Sequence, residues 1–171
     1  MDDLITSISE KITSYNLFNN LLPGAIFCVL ADRCTRLGFA TSNILEQLFL
    51  WYFVGMIISR IGSIFVEEIL RKIKVIEFAE HNQYTLAAEK NPYIKMMSEI
   101  NNTYRTVIAL LCCFGAVYAF DVFLWDLIKQ KFANADRWVV AIALLFLIIV
   151  FICSYRKQTG YIKKEVEKTQ I

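Results

Sequence analysis

The stretch WVVAIALLFLIIVFICSY, residues 138–155, contains no charged side chain and no side-chain amide. Arg137 precedes it and Arg156 follows it, so a strong base bounds the apolar run on each side. Because a helix rises about 1.5 Å per residue, the run reaches roughly the hydrocarbon thickness of a bilayer. It therefore predicts a transmembrane helix, and it places the chain among all-α membrane proteins.

The composition of the whole chain agrees with a membrane location. Of its 171 residues, 57% are hydrophobic and 14% aromatic, and the mean hydropathy is +0.46. This length leaves room for one domain. The N-terminus opens with Met1-Asp2-Asp3, where a signal peptide would carry bases, and no short apolar segment with a cleavage site follows. We therefore expect the mature protein to keep its N-terminus.

The cysteines and the lone histidine do not form a metal-binding pattern. None of the cysteines belongs to a C-x-x-C pair, and His81 has no cysteine or histidine near it in sequence. Free cysteine in an apolar stretch behaves as a small hydrophobe. We expect neither zinc nor any other cofactor, and we assign no role to His81. The cysteines are Cys28, Cys34, Cys112, Cys113 and Cys153.

Residues 1–20 carry apolar side chains at helical spacing, which predicts an amphipathic N-terminal helix. This helix either lies along the inner membrane surface or packs on its own bundle. The apolar side chains are Leu4, Ile8, Ile12, Tyr15 and Phe18.

The first transmembrane span is predicted over residues 21–40, with Pro23 in its first turn, where a missing N–H costs nothing. Asp32, Arg33 and Arg36 interrupt this span. A second register over residues 12–31 is uncharged, but it would bury three asparagines and place the proline in mid-helix. We prefer the later register.

The second span is predicted over residues 44–66, after a turn and helix cap at Thr41-Ser42-Asn43, so the first two transmembrane helices occupy residues 21–66. Small residues recur every four positions on this span, a pattern along which another helix can approach closely. That helix belongs either to the same subunit or to a neighbouring one. The small residues are Gly55, Ser59 and Ser63, and Gly115 with Ala119 offer a similar face on the third span.

Residues 106–155 hold the third and fourth spans, over about 106–125 and 138–155, followed by a polar basic tail over 156–171. The pattern thus predicts a four-helix bundle in the membrane. Between its second and third spans, residues 67–105 are soluble in character, and Asn91-Pro92 marks a helix start there. We interpret this segment as a helical hairpin that extends two spans beyond the bilayer.

The 67–105 segment has equal numbers of acids and bases, interspersed, which argues against direct nucleic-acid binding. It is either a solvated helical face or a docking surface for a cytosolic protein. The candidate docking residues are Glu77, Glu80, Tyr84, Glu89, Lys90 and Lys95.

Lysine and arginine predict the orientation. The N-terminal arm, the 67–105 segment and the tail together hold twelve of these bases, whereas the other connections hold five. Both termini and the hairpin are therefore predicted to be cytoplasmic.

Five ionisable residues within the predicted spans form a candidate intramembrane charge cluster, because charge at that depth is costly unless it is paired or hydrated. Arg36 and Asp121 fall at the same predicted depth, roughly 22 Å above the cytoplasmic face at about 1.5 Å per residue, and could pair. The cluster either fixes helix register or lines a hydrated cavity, ion path or head-group pocket. Its members are Asp32, Arg33, Arg36, Asp121 and Arg60.

The chain also carries the stretches NLLPG at 20–24, SRIG at 59–62 and NNTYR at 101–105. In its layout of four spans, inside termini and a cytoplasmic hairpin, it resembles the membrane subunits of bacterial anti-phage defence systems, the Kiwa membrane subunit in particular. The resemblance covers the whole chain and carries over no functional residues. It implies a homo-oligomer in the inner membrane that senses phage-induced disturbance and recruits a cytosolic effector.

Two other function classes remain open at this point. One is a pore-forming effector that depolarises the membrane when triggered. The other is a small transporter or a lipid-modifying enzyme, although no Ser/His/Asp set, H-E-x-x-H or carboxylate-rich metal motif supports an enzyme. We therefore expect an antiviral membrane protein that acts through protein–protein interaction, not through catalysis.

Overall fold

The computed structural model describes residues 17–132 and 134–169, and their regular structure is helical throughout. Helix α1, residues 17–34, joins a wide π-helical turn at Leu17–Leu21 to Leu22–Cys34. The remaining helices are α2 at Ile44–Lys72, α3 at His81–Lys90, α4 at Pro92–Lys131 and α5 at Ala135–Thr169. Further π-helical turns lie within α2 at Gly62–Val66 and within α4 at Phe120–Leu124.

Local capping fixes the starts of α2 and α4. Asn43 accepts a hydrogen bond from the Leu45 N–H at 2.9 Å, and Asn91 accepts one from the Tyr93 N–H at 3.0 Å. Pro92 occupies the first turn of α4, where its missing N–H costs nothing. The predicted helix starts at Asn43 and Asn91-Pro92 are confirmed.

Helix α1 differs from the preferred first span, residues 21–40. It already includes residues 17–20 and ends at Cys34, because the Asp32 carboxylate accepts the Phe39 N–H at 2.5 Å and folds the chain back. Residues 35–43 are therefore a loop, not the outer end of a helix. The N-terminal helix predicted around Leu4, Ile8, Ile12 and Tyr15 lies outside the described residues.

Two glycines set the closest helix contact. A Cβ on Gly24 would lie 2.7 Å from the Gly55 nitrogen and overlap the Trp51 carbonyl oxygen, and a Cβ on Gly55 would overlap the Asn20 carbonyl oxygen. Residues later in α1 contact residues earlier in α2, so the two helices are antiparallel. Small residues thus let two backbones meet, as is typical of packing in lipid. The core beside this contact contains Phe27, Cys28, Ala31, Ile58, Ala109 and Leu110.

Three described helices are long and apolar enough to cross a membrane: Ile44–Lys72, Pro92–Lys131 and Ala135–Glu167. The chain thus has the features of a multi-pass membrane protein. In the most apolar window of the last helix only 6% of the residues are buried by the rest of the chain, so its surface is left to lipid or other subunits. A fourth crossing by α1, the side on which each loop lies and the cytoplasmic hairpin stay predictions.

Candidate functional site

A buried polar group joins three helices. The side-chain amide nitrogen of Asn19 in α1 donates to the Ser59 hydroxyl of α2 at 3.0 Å. The Thr106 hydroxyl of α4 donates to the side-chain oxygen of Asn19, Oδ1, at 2.7 Å. All three residues are buried. Because each side chain is paired, the group can lie inside an apolar bundle at little cost. This group holds the three helices together, and it accommodates a buried asparagine, the feature that counted against the 12–31 register.

The small face on α2 is consumed within the chain. Gly55 touches α1, Ser59 bonds to Asn19, and the Ser63 hydroxyl accepts a hydrogen bond from Lys157 of α5 at 3.0 Å. Of the two readings left open for these residues, the structure supports contact within one subunit. Gly115 and Ala119 of α4 are exposed, and a Cβ on Gly115 would meet nothing within 4 Å.

One carboxylate ties three helices together. Glu67 of α2 binds Arg105 of α4 at 2.6 Å through one oxygen and Lys157 of α5 at 2.8 Å through the other. All three side chains are mostly buried, so these are strong charge-assisted hydrogen bonds. The sequence analysis did not find this Glu67 cluster, because nothing local links residues so far apart.

Helix α3 lies beside the same end of the bundle. The His81 ring stacks on Tyr161 of α5 at 6.1 Å between ring centroids, and its Nε2 lies 2.9 Å from a carboxylate oxygen of Glu165. His81, for which no role was predicted, thus connects the start of α3 to α5. The 67–105 segment, predicted as a helical hairpin, consists of the end of α2, a turn through Lys74, α3 and the first turns of α4.

The candidate docking residues all lie around α3. Glu77, Glu80, Glu89, Lys90 and Lys95 are exposed and Tyr84 is half-buried. The same segment exposes large apolar side chains that the sequence analysis did not single out. These residues lie in α3 and in the segments directly before and after it, and we call them the α3 apolar residues. They are Val75, Phe78, Leu86, Tyr93 and Met97, each more than half exposed.

At the opposite end of the bundle, Arg36 and Asp121 of the predicted charge cluster form an ion pair, as the sequence suggested, whereas Asp32, Arg33 and Arg60 do not join them. Arg36 lies in the loop after α1, and its guanidinium is 3.9 Å from the Asp121 carboxylate. It also donates two hydrogen bonds to the Asp126 carboxylate, at 2.6 and 2.9 Å. The sequence analysis missed Asp126, since it placed Arg36 inside a helix. Asp32 closes its own loop, and Arg33 and Arg60 are exposed with no ion pair to the described residues.

The Arg36–Asp126 pair shifts both groups toward their charged forms. The hydrogen bond from Arg36 lowers the pKa of the Asp126 carboxyl, and the same bond raises the pKa of the Arg36 guanidinium. Lys129 beside Asp136 adds a second exposed pair at 3.5 Å near the turn between α4 and α5. The ion pairs at this end of the bundle are therefore mostly exposed, and only the Asp121 side chain among them is largely buried.

Within the ranges that the structure describes, no group of three or more histidine, cysteine or acidic side chains is arranged to hold a metal ion. The α3 apolar residues lie among exposed charged side chains of the same segment. Comparisons of the chain with protein-family models, curated proteins and solved structures gave no match.

Proposed function

We propose that this protein is an oligomeric sensor and scaffold in a bacterial inner membrane, part of an anti-phage defence system, and that it recruits a cytosolic effector through the 67–105 segment. The α3 apolar residues carry the proposal. They are exposed, yet they lie among acids and bases too numerous for the segment to enter lipid. Exposed apolar side chains rimmed by charge are typical of protein–protein docking surfaces.

The neighbouring Glu67 cluster and the His81 anchor support this role. They tie α2, α4, α5 and α3 into one unit. A docking surface on such a unit is coupled to the positions of the long helices. A change in helix packing caused by a disturbed bilayer would therefore alter the surface that the partner binds.

The decisive experiment changes the α3 surface without touching the bundle. We expect Phe78→Ser/Leu86→Ser to abolish recruitment of the effector to membranes and protection against phage, because both side chains are exposed and contribute little to folding. Val166→Ser removes an equally exposed apolar side chain from α5 and serves as the matched control. Recruitment is measured by quantitative capture from cross-linked membranes. Intact protection and recruitment in the double variant would refute the proposal.

The proposal also requires the α3 surface to face the cytoplasm. In a variant whose native cysteines are replaced, a membrane-impermeant maleimide should not label Lys90→Cys in intact cells but should label it in inverted vesicles. Lys131→Cys, at the opposite end of the bundle, should give the reverse pattern. Labelling of Lys90→Cys from outside would place the docking surface on the wrong side.

A further inference from the structure

A polar cleft of about 670 Å³ lies between the end of α2 and the tail half of α5. Cys153, within the uncharged run 138–155, forms part of its wall, and Arg156 and Lys164 form the wall beyond that run. The cleft therefore lies where the apolar part of α5 gives way to its charged part. In a membrane this is the level of the phospholipid head groups.

The bases of the cleft outnumber its acids, and the acids are already engaged. Both oxygens of Glu67 are taken by Arg105 and Lys157, and Glu68 binds Arg71 at 2.6 Å. Lys157 uses its ammonium on Glu67 and on the carbonyl and hydroxyl oxygens of Ser63. These side chains therefore build the cleft and have little capacity left for a ligand.

Arg156 and Lys164 remain available. Neither side chain makes a hydrogen bond or an ion pair with any residue that the structure describes, and both are exposed. They are eight residues apart on α5, so they lie on the same helix face with Gly160 midway between them. Two bases on one face of a cleft form a site for an anion that can bridge them.

Gly160 lies in the middle of the exposed, tail half of α5. Glycine inside a helix costs roughly 1 kcal/mol relative to alanine, so its presence in α5 calls for a reason. Close packing does not supply one, because a Cβ at Gly160 would meet nothing within 4 Å. Nor does the backbone, since no described glycine has a positive φ. The missing side chain leaves free space between Arg156 and Lys164.

We infer that this cleft binds the phosphate of an anionic phospholipid between Arg156 and Lys164, with Gly160 leaving room for the head group. Guanidinium and ammonium groups are the usual phosphate ligands, and basic pockets between membrane helices are typical sites for anionic head groups. The acyl chains would leave the cleft past Cys153 along the apolar run of α5. None of the α3 apolar residues lines the cleft, and the inference does not depend on partner recruitment.

The test measures retained lipid on the full-length protein. Protein from nanodiscs of phosphatidylglycerol and phosphatidylcholine is examined by native mass spectrometry, and thermal denaturation is recorded with each lipid. We expect wild type to retain phosphatidylglycerol selectively and to melt higher with it. Arg156→Gln/Lys164→Gln should lose one retained lipid per chain together with that gain. Gly160→Leu should do the same without any change in charge.

Two controls make the outcome decisive. Lys163→Gln removes the same charge next to the cleft and should retain the lipid, because Lys163 does not line it. Equal losses in Lys163→Gln and in Lys164→Gln would show diffuse attraction and overturn the proposal. So would full retention in Gly160→Leu. If soluble glycerol phosphate raises the melting temperature as phosphatidylglycerol does, the ligand is a free phosphate compound and the lipid assignment fails.

Discussion

At Gly24 and Gly55 the absence of a side chain lets the backbones of α1 and α2 meet. Pro23-Gly24 is readable in the sequence only as the beginning of a helix, because its packing partner lies in a different span. Gly55 was identified from its spacing with Ser59 and Ser63, but the sequence could not decide which helix would face it. Residue identity thus predicts where close packing is possible, and the fold decides the neighbour.

A methyl group at Gly55 should separate the two helices, since it would overlap the Asn20 carbonyl oxygen. We expect Gly55→Ala to lower the melting temperature in detergent strongly and to broaden the size-exclusion peak. Gly38→Ala is the control, because a Cβ at that position would meet nothing within 4 Å. An unchanged melting temperature in Gly55→Ala would contradict the close contact.

The Arg36–Asp126 pair gives a pH dependence of defined sign. The pKa of Asp126 is lowered in the folded protein. The pair therefore stabilises the folded protein at pH values above the ordinary pKa of a carboxyl group, and this stabilisation is lost as the pH falls through the lowered pKa. Asp126→Asn should therefore be less stable than wild type at neutral pH, with the difference shrinking in acid. Denaturation at several pH values checks this, and a difference that grows in acid would contradict it.

At the scale of helices, the starts of α2 and α4 were predictable because Asn43 and Asn91-Pro92 act within one turn of themselves. The end of α1 was not, since it depends on Asp32 reaching forward to the Phe39 N–H. The Glu67 cluster was also beyond prediction, because it joins three helices whose registers must all be known. Interactions within one helix turn can be predicted from the sequence, whereas contacts between helices can be identified only once the packing of the helices is known.

Removing the charge of Glu67 should loosen three helices at once. We expect Glu67→Gln to cost roughly 1.5–3 kcal/mol, as is typical of a lost hydrogen bond to a charged group, because Arg105 and Lys157 would lose their common partner. Hydrogen exchange should rise in α2, α4 and α5 around Glu67, Arg105 and Lys157. Glu68→Gln is the control, since its partner Arg71 is exposed and little change is expected. Equal effects in both variants would contradict a special role for Glu67.

At the scale of the whole molecule, helices α4 and α5 leave most of their apolar surface uncovered. Lipid can cover such a surface, but Gly115 and Ala119 also allow another helix to approach closely. The sequence predicted an oligomer without choosing between its two small-residue faces. The structure uses the α2 face internally, which leaves the α4 face as the place to test subunit contact.

Gly115→Leu should reduce the number of subunits in the detergent-solubilised particle, because a large side chain would hold a neighbouring helix away. The fold should be preserved, since the side chain enters open space within the subunit. Ala141→Leu adds bulk at an exposed site on α5 and should leave the particle mass unchanged. Mass photometry measures both variants. A particle of unchanged mass in Gly115→Leu would exclude this face as the contact.

The wide turn at Gly62–Val66 has a consequence for how α2 presents itself along its length. A π-helical turn holds one residue more than a regular turn, and each residue of a helix advances its direction by about 100°. Side chains after the turn therefore point in a different direction from the one that an uninterrupted α-helix would give them. The half before the turn directs Gly55 at α1, and the half after it directs Glu67 at α4 and α5. One continuous helix can thus contact different neighbouring helices along its two halves.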